Sequence, residues 1–597
     1  MIDFEEINEP VDQFDKRYKA EHAQNTSDQF DEFVKISNID KEANREKVTV
    51  IKSLQEALSK ISNKHKWLKR ARIATIVVFI ALILTIYGFY SSLEPVSTMI
   101  LIAFIVGAVA LIAGFIVGLL ALNKKINNLD KEIAEKQAVI DTKIGEAWQQ
   151  LLPLNSLFEW DTIGKIVMKT LPIVTMDKYF SNGRLTELVK HFGLIGGSNG
   201  DNSMLFCQSG AVNGNPFVVC ESKYFEMGTK EYTGSLKITW KEEESYTDSN
   251  GNTRYRMVTK SETLHASIER PFPLYDIEKF LIYGNEAAPD LSFSRTPSSF
   301  SSGKGLFSSW KLKSAMKKQE NKARKEGSFT TVGNKEFDAT FGANDRDNEH
   351  QFRLMYTALG QKETLKLLKD NEVGYGDDFI FKKSHMINIV QPQHLMDIDI
   401  SCAPSRFYDY DIDAIEKVFN NYSNEYFKHF FFAFAPLFAV PLYQQHRSDL
   451  DIYKDVYAKR LAFWDCETIA NAHGEDKFKH PDCITDSILK VNMNESENGT
   501  QVDVTAKGFK GVKRVDYVSK YGGDGRYHDV PVKWIEYIPV EHTSMMVLKE
   551  AADSNKQEYF EKLHDSDEWK NFYSNWGKDF DASDYRKSII SFIPTKE

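Results

Sequence analysis

The chain has 597 residues, 75 Lys+Arg against 85 Asp+Glu, a net charge of −10 and a mean hydropathy of −0.41. A charged fraction of 27% and an aromatic fraction of 13% exclude a disordered chain, a collagen-like repeat and a small disulfide scaffold. The acidic balance also speaks against a nucleic-acid partner, which calls for a basic surface. These averages describe a soluble protein of several folding units, but the apolar residues are unevenly spread.

In chain order, 1–45 is an acidic segment in which Phe4, Ile7, Val11, Phe14 and Tyr18 are interspersed, read as a helix or a solvated tail. Over 46–72, Ile51, Leu54, Leu58, Ile61, His65 and Leu68 fall at steps of three and four, a seam that predicts a stalk helix running into the first apolar segment. Residues 73–93 and 96–122 are apolar and uncharged, each long enough to cross a hydrocarbon core. They predict a transmembrane hairpin with Pro95 in its connection and Tyr87, Phe89 and Tyr90 at the interface. Lys64, Lys66, Lys69, Arg70 and Arg72 precede it, and Lys124 and Lys125 follow it. The positive-inside rule then puts both termini in the cytoplasm, with a multi-pass protein in a cytoplasmic membrane. Residues 123–152, with Ile126, Leu129, Ile133 and Ile140, predict a second stalk helix, and a higher-order coiled coil between copies is an alternative.

Gly107, Gly114 and Gly118 form a small-residue stripe. Packing of the second span on the first is the favoured reading, and contact with a second copy the sharper one. Neither span holds an ionisable residue, which argues against a transporter. Five scattered cysteines suit a reducing compartment.

Residues 153–297 predict a β-rich antiparallel domain, with hairpin turns at Asn213-Gly214 and around 247–252. Residues 298–332 are a basic, Ser-rich linker. There Lys304, Trp310, Lys311, Lys313, Lys317 and Lys318 describe either contact with an anionic lipid surface or a solvated connection, held equal. A mixed α/β domain follows over 333–482. Strands are expected at 335–341, 380–381, 386–390 and 397–401, and helices at 347–368 and 411–426. The Phe-rich run 430–443 reads as a buried core segment broken by Pro436 and Pro441. Strands occupy 483–545 and aromatic-rich helices 546–597.

The phrases Gly214-Asn215-Pro216-Phe217-Val218-Val219-Cys220-Glu221 and Phe337-Asp338-Ala339-Thr340-Phe341-Gly342-Ala343-Asn344-Asp345, downstream of the apolar pair, carry a resemblance. The chain resembles an uncharacterised bacterial membrane family with a two-helix anchor and a cytoplasmic α+β domain. That resemblance implies bacterial membrane placement and no catalytic residues.

The most metal-like constellation is Cys466-x6-His473-x6-His480-x2-Cys483, two thiols and two imidazoles of the kind that hold zinc, although only half of the spacing is conventional. Scattered core cysteines and surface histidines are the favoured reading, and otherwise no cofactor is expected. Asp345, Asp347, Glu349 and His350 read as a helix start, where carboxylates suit the dipole. No nucleophile-elbow, zincin, P-loop or kinase signature occurs. The expected fold is thus an integral membrane helical hairpin with a cytoplasmic stalk and a large α+β region. The expected function is non-enzymatic binding of a partner, a ligand or a second copy of the chain at a lipid bilayer. The alternative is a membrane-tethered enzyme, such as a metal-dependent hydrolase, with its site in the C-terminal region.

Overall fold

The computed structural model describes residues 6–91, 98–195, 202–247, 251–298, 332–447, 461–496, 499–550, 585–586 and 589–592, together with 249 and 317. The chain divides into two compact units, one of residues 28–158 and 406–420, the other of the remainder.

The first unit is built on two long helices, α3 (Lys41–Ser91, 51 residues) and α4 (Thr98–Asn155, 58 residues). They run antiparallel: His65 Nε2 meets Asp130 Oδ1 at 2.8 Å, Arg72 Nη1 donates to Asn123 Oδ1 at 3.1 Å, and the Phe79 and Phe115 rings stack at 3.7 Å. Ile51, Leu68, Ile126, Ile140 and Ala147 are buried along this unit's interior, as heptad positions should be. At one end Phe158 packs on Phe33, Phe407 and Phe419. Asn44 there donates to Tyr410 O at 3.1 Å and accepts from the Ile412 N–H at 3.0 Å.

The predicted transmembrane hairpin of two spans is not what forms. Among the described residues one helical stretch, Val109–Asn155, is long and apolar enough to cross a membrane, and no second one is. Each apolar run continues without a break into its charged heptad segment, as the seams predict, so that each is part of a single helix. Most of the remaining described chain belongs to antiparallel sheets.

The second unit holds two such sheets. The seven-stranded one runs β1 (Val174–Met176), β2 (Asn202–Val212), β3 (Asn215–Thr247), β4 (Thr253–Gly284), β7 (Ile387–Pro392), β6 (Phe379–Ser384) and β5 (Ser292–Arg295) in spatial order. It therefore draws strands from both sides of the 298–332 segment. The β2–β3 hairpin closes at Asn213-Gly214, both left-handed (φ 48° and 80°), the conformation that Asn-Gly supplies at least cost. The five-stranded sheet runs β11 (Tyr585–Arg586), β12 (Ile589–Phe592), β10 (Tyr527–Glu550), β9 (Gly499–Tyr521) and β8 (Ile488–Ser496). The strands expected within 483–545 form β8, β9 and most of β10. The two long hairpins, β3–β4 and β9–β10, meet through Ile238, Leu264, Val530 and Val532 and the Arg270–Asp516 ion pair. Gly234 allows that approach, because a Cβ there would lie 2.2 Å from Pro531 O.

Three local expectations are corrected. Residues Lys335–Phe341 form a helix, not a strand. Asn334 Oδ1 accepts from the Glu336 and Phe337 N–H groups at 3.1 Å, and Gly342 ends the helix at φ 75°. Residues 347–368 split into Glu349–Met355 and Ala358–Lys369, because Thr357 takes an extended conformation and caps the second helix. Residues 397–401 follow a 3-10 turn, Gln393–Asp397, and form no ladder.

The Phe-rich run is the end of a helix, Ile412–Phe438, with Phe430, Phe431, Phe432, Phe434 and Phe438 all buried. Pro436 does not break it. It lies in the last turn, where a missing N–H forgoes one bond just before the helix stops. Of the segment 546–597, expected to be helical, the described residues 546–550, 585–586 and 589–592 are strand, in β10, β11 and β12; the rest lies outside the described residues, as does Phe4.

Candidate functional site

The apolar stretch of α4 is the most unusual surface of the molecule. A core helix of its composition would be buried, yet 6% of its most apolar window is. Val106, Val109, Ile112, Ile116, Val117 and Leu120 are exposed, and so are Ile73, Val77, Val78 and Leu84 on α3. An exposed apolar patch of this extent marks a surface that meets something other than water, a protein or a membrane. Burying six Val, Ile or Leu side chains is worth on the order of 10 kcal/mol.

The stretch has a charged border. Lys64, Lys66, Lys69, Arg70, Lys124 and Lys125 are exposed on the side leading to the heptad segments, beside an exposed Trp67. Cations flanking an apolar helix, with an indole among them, match the headgroup layer of a bilayer.

Among the described residues, a methyl group added at Gly107, Gly114 or Gly118 would meet no atom within 4 Å.

The Cys466/His473/His480/Cys483 set does not assemble, and no three His, Cys, Asp or Glu side chains converge as metal ligands among the described residues. Cys466 lies on the helix Phe463–Ala472 in a core with Ile469, Phe478 and Leu489, its Sγ 3.5 Å from Met493 Sδ, and burial pushes its thiol pKa up. His473 caps that helix, and His480 Nδ1 accepts from the Asp482 N–H at 3.0 Å. Cys483 is partly exposed and points at Thr485 O (3.4 Å) and Ser487 Oγ (3.7 Å). Burial raises its pKa, but hydrogen bonds to Ser487, Thr485 and the Phe509 N–H outweigh that and leave it lowered. The helix turns Cys466 into the core.

Lys304, Trp310, Lys311, Lys313 and Lys318 lie outside the described residues, and Lys317 is helical and exposed. Asp345 and Asp347 do not cap a helix. They accept from the Ser294 and Ser292 N–H groups at 2.9 and 2.7 Å and so hold β5, while Asn348 is the cap.

The sheet-rich unit also buries ionisable groups that the sequence reading missed. Lys383 Nζ donates to Ala287 O (2.8 Å) and His385 O (2.6 Å), and burial pulls its pKa down to about 7. His22 stacks on Phe427 at 4.0 Å between Thr170 Oγ1 and Ser423 Oγ, and burial lowers its pKa to about 3. His394 has Asp378 Oδ2 2.5 Å from Nδ1 and His429 O 3.1 Å from Nε2, with the Tyr375 ring stacked on it at 4.0 Å. Only Lys383 left a trace in the pattern: the period of two that buries Phe379 and Phe381 carries it inward as well.

No known protein family, curated protein or solved structure matches this chain. The resemblance carried by 214–221 and 337–345 thus has no counterpart in those comparisons, and structurally its second phrase is a capped helix.

Proposed function

We propose that this is a non-enzymatic binding protein held at a lipid bilayer, on the cytoplasmic face of a bacterial membrane, by the apolar stretch of α4. The observation that carries the reading is a helix of spanning length whose most apolar window is 6% buried. In water that surface has nothing to satisfy it, whereas acyl chains do so without any specific partner. The cationic border and Trp67 fit the adjoining headgroup layer.

Binding of a protein partner is supported by the long hairpins of the sheet-rich unit. Tyr255, Tyr517, Tyr521 and Tyr527 stand exposed on them, and tyrosine is a residue type that interfaces favour. The membrane-bound enzyme reading has no assembled metal cluster among the described residues to favour it.

Carbonate washing and flotation of the full chain expressed in bacteria test the attachment. The unmodified protein is expected to stay with the membrane. Ile112→Arg combined with Val117→Arg is expected to release it, each arginine costing about 3 kcal/mol in a bilayer interior while leaving the exposed positions free of clashes. Recovery of the unmodified protein in the soluble fraction would sink the proposal.

A further inference from the structure

The β2–β3 hairpin sets two cysteines opposite each other. Its register, counted back from the Asn213-Gly214 turn, pairs Cys207 with Cys220, and the register shift of this ladder, between Met204 and Phe206, lies beyond the pair. Directly opposed side chains stand on the same face of a sheet and are neighbours there. That face is core: both cysteines are 0% exposed, in a cluster with Phe180, Leu188 and Trp464.

The ladder also fixes how close the two strands bring them. Ser209 O accepts from the Asp177 N–H at 2.9 Å, so Ser209 turns its backbone groups towards the β1 side. Backbone groups alternate from edge to edge along a strand, so Cys207, two residues earlier, turns its own N–H and C=O the same way, away from β3. Pro216 agrees with that count. It stands opposite Ala211, an even number of residues from Cys220, where a residue without an N–H takes nothing from the ladder. Cys207 and Cys220 are therefore a non-hydrogen-bonded pair, the closer of the two kinds, with Cα atoms about 4.5 Å apart. Disulfides span about 4.4–6.8 Å between Cα atoms, so the pair can be bridged with the strands where they are.

Packing does not call for sulfur at both positions, since a buried thiol behaves as a small apolar side chain. The other three cysteines meet different groups: Cys402 Sγ faces the Tyr422 hydroxyl, Cys466 Sγ faces Met493 Sδ, and Cys483 Sγ faces Ser487 Oγ. Within the closed hairpin the thiols are quiet. Burial pushes the Cys220 thiol pKa up, and Cys207 Sγ donates to Asp465 Oδ1 at 3.7 Å. Reaction therefore waits on local opening of the two strands.

We propose that Cys207 and Cys220 are a dithiol that closes into a cross-strand disulfide when the chain meets a small-molecule disulfide such as oxidised glutathione. One cysteine thiolate attacks the S–S bond of the oxidant and forms a mixed disulfide. The expelled thiolate takes up the proton that the cysteine lost. The second cysteine then attacks the mixed disulfide, the cross-strand S–S bond forms, and the second glutathione leaves as a thiol with the second proton. Two electrons pass from the protein to the oxidant. A reducing compartment keeps the pair open, so the bridge registers a change in redox state. It is independent of the attachment through α4, since neither cysteine belongs to that helix.

The test is a thiol map of the purified full chain. The chain is held with oxidised glutathione in urea just below its unfolding transition, where local opening exposes the pair, then alkylated and digested without reduction. Loss of two of the five thiols is expected, with recovery of a peptide pair joined through Cys207 and Cys220, and dithiothreitol should reverse both. The oxidised chain should also unfold at higher urea than the reduced one, because a bridge restrains the unfolded chain, and Cys220→Val should abolish that shift. Should Cys220→Val fail to fold, the thiol map of the unmodified chain decides. Five free thiols after the treatment would overturn the proposal. So would stable glutathione adducts in place of the bridge, or bridges that join either cysteine to Cys402, Cys466 or Cys483 as often as to its opposite.

Discussion

Residues 430–438 and 106–120 are both helical and both apolar, yet the first run is packed with aromatic neighbours and the second is left bare. Phe431 contacts Phe14, Tyr18, Phe427 and Phe438, whereas Val117 on α4 is 66% exposed. The sheet-rich unit departs from the inside–outside rule in the other sense, by enclosing Lys383 and His22. Apolar character alone therefore does not decide burial. A run is buried when other elements supply complementary surface, and otherwise it needs a different solvent.

The largest test of this contrast is Phe431→Ala. Deleting a fully enclosed ring should cost roughly 3–5 kcal/mol in urea unfolding, and a cost under 1 kcal/mol would show that the run is not close-packed. The second concerns enclosed charge. The folded state lowers the Lys383 pKa from 10.5 to about 7, so the unfolded chain keeps the proton across that window. Stability should therefore rise with pH from 7 to 10.5, by roughly 4 kcal/mol, and Lys383→Met should flatten the rise; identical slopes in both proteins would refute it.

A smaller effect checks the helix that replaced a predicted strand. Asn334→Ala removes a cap from Lys335–Phe341 and should cost about 1 kcal/mol by thermal or chemical unfolding, whereas a neutral result would argue against the capped helix. The smallest sharpens the first comparison. Val117→Ala should change stability by less than ~0.5 kcal/mol in detergent solution. A loss beyond ~2 kcal/mol would mean that the face is covered by protein after all.

Legibility followed locality. The Asn213-Gly214 turn was readable because a two-residue hairpin is specified by its own residues. The helix at Lys335–Phe341 carried its own signals, Asn334 before it and Gly342 after it, which short-range alternation of Phe337, Ala339 and Phe341 obscured. The zinc spacing failed for a different reason. Ligand convergence depends on which way a helix turns each side chain, and Cys466 was turned into the core.

By itself the sequence determined the long helices, the apolar character of α4 and the first β-hairpin, because periodicity and turn chemistry act over a few residues. Tertiary structure alone decided that strands from both sides of the 298–332 segment share one sheet. It also decided which apolar helix is covered, because burial depends on complementary surfaces contributed by residues hundreds of positions apart.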